Sequence, residues 1–123
     1  MHVEKPWGHE LIWARTKDYV GKLIHINSGE SLSRQYHVKK DESIYVMKGT
    51  LTLELGDGSL MQTLILEEGH SFRIAPYTIH RFIANSGDVD LIEVSTPELQ
   101  DVVRINDKYG RIETKDEALS LLD

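Results

Sequence analysis

The sequence predicts an all-β fold, a small sandwich or barrel of short antiparallel strands. Between about Glu10 and Thr96, apolar and polar residues alternate over short stretches, and Gly, Asn and Asp interrupt these stretches. Turn signals recur roughly every ten residues, which is the spacing of strands in small sandwiches and barrels. Apolar stripes with helical spacing are missing from this region.

Individual strands follow from the local pattern. Residues 51–66 predict a β-hairpin, because leucines alternate with polar residues before Gly56-Asp57-Gly58 and apolar residues return after it. Residues 44–46 lead into a further glycine turn. Residues 72–74 lead to Pro76, which has no N–H for a central ladder and therefore ends its strand or lies at an edge.

The C-terminal residues predict one short helix. Thr114 and Glu117 have capping-box spacing, in which each side chain satisfies an exposed N–H at the start of a helix, and leucines follow. A chain of 123 residues suffices for one core and is too short for two. We therefore expect a single domain over residues 1–123, with a barrel over about residues 9–96 and a C-terminal segment and helix over residues 97–123.

The composition excludes several classes of function. With 14 Lys and Arg against 20 Asp and Glu, the formal net charge is -6, which disfavours a nucleic-acid partner. No apolar run approaches the roughly 18 residues of a membrane helix, so no membrane partner is expected. The charged N-terminal segment around Pro6 does not resemble a secretory signal, and we expect a cytoplasmic protein. Because the chain has no cysteine, any metal must be held by His, carboxylate or amide groups.

Four residues form a candidate metal site. Gln35 and His37 are two residues apart on a predicted strand, so their side chains share one face and can converge inside a barrel. Glu42 follows after about the length of a turn, and His80 ends a separate turn. The sequence therefore predicts a ligand set of Gln35, His37, Glu42 and His80.

These residues resemble the motifs of the cupin family. The first cupin motif sets two His and a Glu at fixed intervals between two Gly, and the same intervals separate Gly29, Gln35, His37, Glu42 and Gly49, with Gln35 in place of the first His. The second motif is matched more loosely by Gly69, Pro76, His80 and Asn85. The resemblance implies a cupin barrel, which is a double-stranded β-helix.

Within the cupins, the chain most resembles the small domain of type II mannose-6-phosphate isomerases and their stand-alone relatives. Three segments resemble landmarks of that family in the same order, namely Lys5-Pro6-Trp7-Gly8, Leu32 to His37, and Asp101 to Arg111. The resemblance spans about residues 4–111. A homodimer is also expected from the family, with an N-terminal strand of the partner covering an open sheet edge.

The segment Gln35 to Lys40 is also similar to type I mannose-6-phosphate isomerases, which bind zinc through Gln, His, Glu and His. The resemblance implies one divalent ion per chain, zinc first, although manganese, iron, cobalt and nickel accept the same ligands. The amide oxygen of Gln35 is a neutral hard ligand, so the replacement of the usual His is compatible with metal binding.

The resemblance implies a metal-dependent isomerase that interconverts mannose 6-phosphate and fructose 6-phosphate, a reaction in which a base moves a proton between two carbons. Lys40 is a candidate catalytic residue, either as the base if its pKa is lowered or as an electrostatic partner of the enediolate; Glu42 could serve as the base if it is not ligated. Arg104 is a candidate for phosphate binding or charge stabilisation, and Ser33 and Arg111 are candidates for substrate binding.

Other classes stay open. The type II isomerase domain is usually fused to a nucleotidyltransferase, so the chain could also be a non-catalytic or regulatory cupin that binds a sugar, a sugar nucleotide or a small anion. A dioxygenase or a deoxysugar epimerase is disfavoured, because Gln35 replaces a His that redox-active cupins use and no His–Asp base pair is evident. We expect a structural role for Trp7. No function is assigned to the histidines without a partner at ligand spacing, which are His2, His9, His25 and His70.

Overall fold

The computed structural model describes residues 1–106, and these residues form eleven β-strands and no helix. The strands are β1 (His2–Lys5), β2 (Gly8–Arg15), β3 (Val20–Ile26), β4 (Arg34–Tyr36), β5 (Glu42–Lys48), β6 (Leu51–Gly56), β7 (Met61–Leu66), β8 (Ser71–Ile74), β9 (Ile79–Ile83), β10 (Val89–Ser95) and β11 (Val103–Asn106). The predicted C-terminal helix and Arg111 lie outside the described residues. No described helix could span a membrane.

Two antiparallel sheets make up the barrel. The six-stranded sheet has the order β1-β2-β3-β10-β5-β8, and the five-stranded sheet has the order β11-β4-β9-β6-β7. The predicted all-β barrel is therefore confirmed. The predicted hairpin is formed by β6 and β7, with Leu51 paired to Leu66 and Gly56 paired to Met61.

The core lies between the two sheets, where alternate residues of facing strands point inward. Its most buried apolar side chains come from both sheets and include Ile24, Ile26, Ile44, Val46, Leu51, Leu53, Phe82 and Leu91. Trp7 is only 3% exposed and belongs to the same core, in agreement with its expected structural role. Residues at the intervening positions, such as Tyr45 and Met47, are exposed.

Gly49, the last residue of the first motif, is required by a close approach between two turns. Its φ is +85°, in the left-handed region that favours glycine. A Cβ atom at this position would lie 2.3 Å from the carbonyl oxygen of Asp88. The turn between β5 and β6 therefore packs backbone to backbone against the loop before β10.

Two strands lie beyond the predicted barrel limits of about residues 9–96. Strand β1 precedes them and forms a hairpin with β2 of its own chain, and β11 follows them and pairs with β4. Each of these edge strands has four residues. Four residues carry too little alternation to be recognised from the sequence. The strand β11 places Arg104 directly opposite Gln35, so it contributes to the site described next.

Candidate metal centre

Three strands of the smaller sheet and the start of β5 position the predicted ligands. Gln35 on β4 pairs directly with His80 on β9, and Arg104 on β11 pairs with Gln35 from the other side. His37 follows the end of β4, and Glu42 is the first residue of β5 in the facing sheet. The chain thus brings residues from both sheets to one place inside the barrel.

Two imidazoles and one carboxylate converge at this place. Nε2 of His37 lies 3.5 Å from Oε2 of Glu42, and Nε2 of His80 lies 3.4 Å from Oε1 of the same carboxylate. All three residues are at most 4% exposed. The two Nε2 atoms are buried and have no hydrogen-bond partner, which is costly for a polar atom unless a ligand completes the site.

The ring orientation fixes which nitrogen of each histidine is available. Nδ1 of His37 donates to the backbone carbonyl oxygen of Asp101, and Nδ1 of His80 donates to that of Thr78. A carbonyl oxygen only accepts hydrogen bonds, so Nδ1 carries the proton in the neutral ring and Nε2 presents its lone pair. Both lone pairs therefore belong to the inward-facing atoms near Glu42.

The separations fit a bound divalent ion. Ligand atoms about 2.1 Å from a tetrahedral zinc ion lie about 3.4 Å from one another, which is close to the distances that separate the Glu42 oxygens from the two Nε2 atoms. One atom from each of the three residues lies within 4.8 Å of the others. The side-chain oxygen of Gln35 accepts a hydrogen bond from Oγ of Ser33 at 2.6 Å, which orients this fourth predicted ligand.

Asp101 holds the loop between His37 and Glu42. Its carboxylate accepts hydrogen bonds from the backbone N–H groups of Val38 at 3.0 Å, Lys39 at 2.6 Å and Lys40 at 2.9 Å. Burial alone would raise the pKa of Asp101, but these three donors outweigh it and hold the pKa below its ordinary value. The same residue orients the His37 ring through its backbone carbonyl oxygen. Asp101 therefore fixes both the backbone of residues 38–40 and the orientation of a predicted metal ligand.

Lys40 is a buried cation between two carboxylates. Its Nζ lies 3.0 Å from Oε2 of Glu42 and 3.3 Å from Oε2 of Glu93. Burial alone would lower the pKa of Lys40, but the two carboxylates outweigh it and raise the pKa above its ordinary value. Burial also raises the pKa of Glu93, although Lys40 opposes this. This arrangement does not supply the lowered pKa that a base role requires of Lys40, so it favours the electrostatic role.

A cavity of about 480 Å³ opens onto these groups. The predicted residues Ser33, Gln35, His37, Lys40, Glu42 and Arg104 all line it. Three further cations, Lys5, Arg15 and Lys22, line its walls together with three further carboxylates, Glu10, Glu93 and Glu98. A cavity lined by cations and carboxylates together is suited to a small polar ligand.

Sequence reasoning missed two residues of the site. Asp101 was noted only as part of a family landmark, because its partners lie more than sixty positions earlier in the chain. Glu93 has no recognisable motif, because a single Glu in a strand is ordinary. It lies two residues after Leu91, so both side chains share the inward face of the strand, and this spacing is the signal that identifies it.

The barrel, with two imidazoles and a carboxylate converging inside it, defines a member of the cupin class, as expected from the motifs. The chain belongs to the family described as mannose-6-phosphate isomerase C-terminal, whose model matches residues 1–107.

Curated relatives agree with this assignment. The mannose-1-phosphate guanylyltransferase ManC of Salmonella typhimurium is 34% identical over 119 residues, which are 91% of this chain and 24% of that protein. The alginate biosynthesis protein AlgA of Pseudomonas aeruginosa is 31% identical over 114 residues, 89% of this chain and 23% of that protein. The chain thus spans about a quarter of the length of these relatives.

Solved structures show the same fold at lower sequence identity. KdgF from Halomonas sp. superposes with a TM-score of 0.69 at 23% identity, over 79% of this chain and 86% of that one. The capsular polysaccharide assembling protein CapF from Staphylococcus aureus superposes with a TM-score of 0.72 at 14% identity, over 86% of this chain and 34% of that one. A cupin superfamily protein from Desulfitobacterium hafniense superposes with a TM-score of 0.61 at 17% identity, over 71% of this chain and 74% of that one, which confirms the cupin barrel.

Replacing Asp101 by Asn tests its effect on the loop. Asp101→Asn loses charge-assisted hydrogen bonds to a partly buried loop, so we expect a loss of about 1.5–3 kcal/mol in the free energy of unfolding, measured in urea with chelator present. Zinc affinity should fall about 10- to 100-fold. Asp57→Asn is the matched control, because Asp57 caps two N–H groups in an exposed turn. Equal effects of both substitutions would contradict the assigned role.

Replacing Lys40 tests the buried charge network. Lys40→Met leaves Glu42 and Glu93 facing each other without the cation, and we expect a loss of about 3–5 kcal/mol in metal-free protein. The double variant Lys40→Met/Glu93→Gln should recover part of this loss, because one uncompensated carboxylate is removed. Lys39→Met, at the exposed neighbouring position, should have little effect. Additive losses in the double variant would show that the two side chains do not interact.

Proposed function

We propose that this chain is a metal-dependent sugar-phosphate isomerase of the kind that interconverts mannose 6-phosphate and fructose 6-phosphate. The observation that carries the proposal is the pair of buried, unpartnered Nε2 atoms, of His37 and His80, beside the Glu42 carboxylate. His37 and Glu42 also line the cavity, together with Lys40 and Arg104. Membership of the mannose-6-phosphate isomerase C-terminal family supports the same reaction.

Gln35, His37, Glu42 and His80 are the proposed metal ligands. A divalent ion held there supplies a Lewis acid, which polarises the sugar oxygens and lowers the barrier to removal of the adjacent carbon-bound proton. Zinc is the first candidate on ligand chemistry, and manganese, iron, cobalt and nickel suit the same groups.

Other residues of the chain bind and orient the substrate in this proposal. Arg104 lines the cavity opposite Gln35 and provides a guanidinium for the phosphate. The Lys40 ammonium, fixed by Glu42 and Glu93, offsets negative charge that develops on the sugar. Ser33 holds the amide of Gln35 and lies at the same wall.

A non-catalytic role is the second candidate. Curated relatives of which this chain spans about a quarter are mannose-1-phosphate guanylyltransferases. In this alternative the cavity binds a sugar phosphate or a sugar nucleotide without turning it over. The charged lining of the cavity serves either role, so turnover decides between them.

The decisive measurement is exchange of carbon-bound hydrogen in mannose 6-phosphate and fructose 6-phosphate, followed by NMR in deuterated water. Protein stripped of metal is reloaded separately with each of the five ions. We expect turnover with at least one ion, none after stripping, and a fall to background in His37→Gln. His70→Gln is the matched control, because His70 is exposed and does not line the cavity. Stoichiometric metal binding without turnover would reject the isomerase and favour the binding module.

Arg104 provides a test of the phosphate subsite. Arg104→Gln removes the guanidinium, so we expect KM for the sugar phosphate to rise about tenfold or more while kcat changes less. Arg73→Gln is the control, because Arg73 pairs with Asp41 on the surface. A change in kcat alone would contradict a phosphate-binding role and indicate charge stabilisation in the transition state.

A further inference from the structure

A second cluster of metal-binding side chains lies on the outer face of the N-terminal strands. Glu4 on β1 pairs directly with His9 on β2, and His9 pairs directly with His25 on β3. His2 lies two residues before Glu4 on the same strand, so the two side chains share a face. The spacing along the sequence indicates no metal-ligand partner for these histidines, but the strand register places such partners beside them.

The geometry of the cluster is compact. Nε2 of His2 lies 2.6 Å from Oε1 of Glu4, which is a hydrogen-bond distance. Two ligands of one zinc ion lie about 3.4 Å apart, so an ion bound here would replace this hydrogen bond and separate the two atoms. The His2 and His9 rings are stacked, with centroids 4.7 Å apart. One ligand atom from each of His2, Glu4 and His9 lies within 4.8 Å of the others. This is a second group of the same chemical kind as the one inside the barrel, and it shares no residue with it.

His25 supports the cluster from the side. Its Nδ1 lies 2.6 Å from Oδ1 of Asp90, and its Nε2 lies 3.4 Å from Oδ2 of Asp88. Both nitrogens of this ring therefore face carboxylates. The ring stacks on His9 at a centroid distance of 5.0 Å and an angle of 16°, so His25 acts as a wall that orients His9.

We infer that His2, Glu4 and His9 bind a second divalent ion of the zinc type on the outer face of the barrel. Two imidazoles and one carboxylate suit zinc, nickel or copper, whereas magnesium and calcium prefer oxygen ligands alone. The acidic residues Glu4, Asp88 and Asp90 attract a cation to this face, and Lys48 is the cation paired across from Asp90.

Such an ion would clamp β1 to β2. Val3 and Lys5 alternate with His2 and Glu4 along β1, and both line the central cavity. Strand β1 is an edge strand that pairs only with β2 among the described residues. An ion bound outside therefore fixes a strand whose other face forms the cavity wall. The inference does not depend on whether the chain is an isomerase.

The test is zinc binding by the full chain with the interior site disabled. His37→Gln/His80→Gln protein should retain one equivalent of zinc after equilibrium dialysis, and adding His2→Gln/His9→Gln should remove it or weaken it at least about tenfold. Circular dichroism checks that each variant is folded. The inference is overturned if the zinc content is the same with and without His2→Gln/His9→Gln, or if His70→Gln removes as much zinc.

NMR of the variant with the disabled interior site provides a second readout. Zinc should shift the imidazole resonances of His2 and His9 more than those of His70, and should slow hydrogen exchange of the β1 amides. The exchange effect should disappear when His2→Gln/His9→Gln is added. Shifts of equal size on His2, His9 and His70 would mean unspecific binding and would overturn the inference.

Discussion

The carboxylate of Asp101 is the interaction on which the interior site depends. It accepts three successive backbone N–H groups from residues 38–40, and its own carbonyl oxygen orients the His37 ring. One residue thus fixes the loop that joins His37, which follows β4 of the smaller sheet, to Glu42 on β5 of the larger sheet. Since β11 begins at Val103, two residues after Asp101, the same anchor also positions the strand that carries the proposed phosphate-binding residue, Arg104.

The interior of the barrel holds more charge than stability alone would favour. Lys40, Glu42 and Glu93 are each at most 5% exposed, and Lys22 lies beside them, opposite Glu93 in the sheet. Burial of ion pairs costs desolvation energy that apolar side chains of similar volume would avoid. The charges are arranged around a cavity instead of being scattered through the core. A bound ligand that uses these charges accounts for an arrangement that packing alone does not explain.

The sequence predicted the features that depend on local pattern. The barrel and the hairpin at β6 and β7 follow from alternation, and the grouping of His37, Glu42 and His80 follows from motif spacing. Features that depend on register did not follow. Asp101 acts on residues more than sixty positions away, and the raised pKa of Lys40 depends on Glu93 from another strand. A single sequence does not show which strands are neighbours, so these contacts could not be predicted from it.

Register links the two candidate metal-binding groups. Along β1, β2 and β3, residues that line the cavity, such as Glu10 and Lys22, alternate with outward-facing residues, such as His9 and His25. A slip of one residue in the pairing would move every side chain to the opposite face. The strand pairing that places His9 beside His25 on the outer face therefore also directs Glu10 and Lys22 into the cavity. A ligand that fixes the outward-facing histidines of β1 and β2 therefore also fixes the residues of these strands that line the cavity.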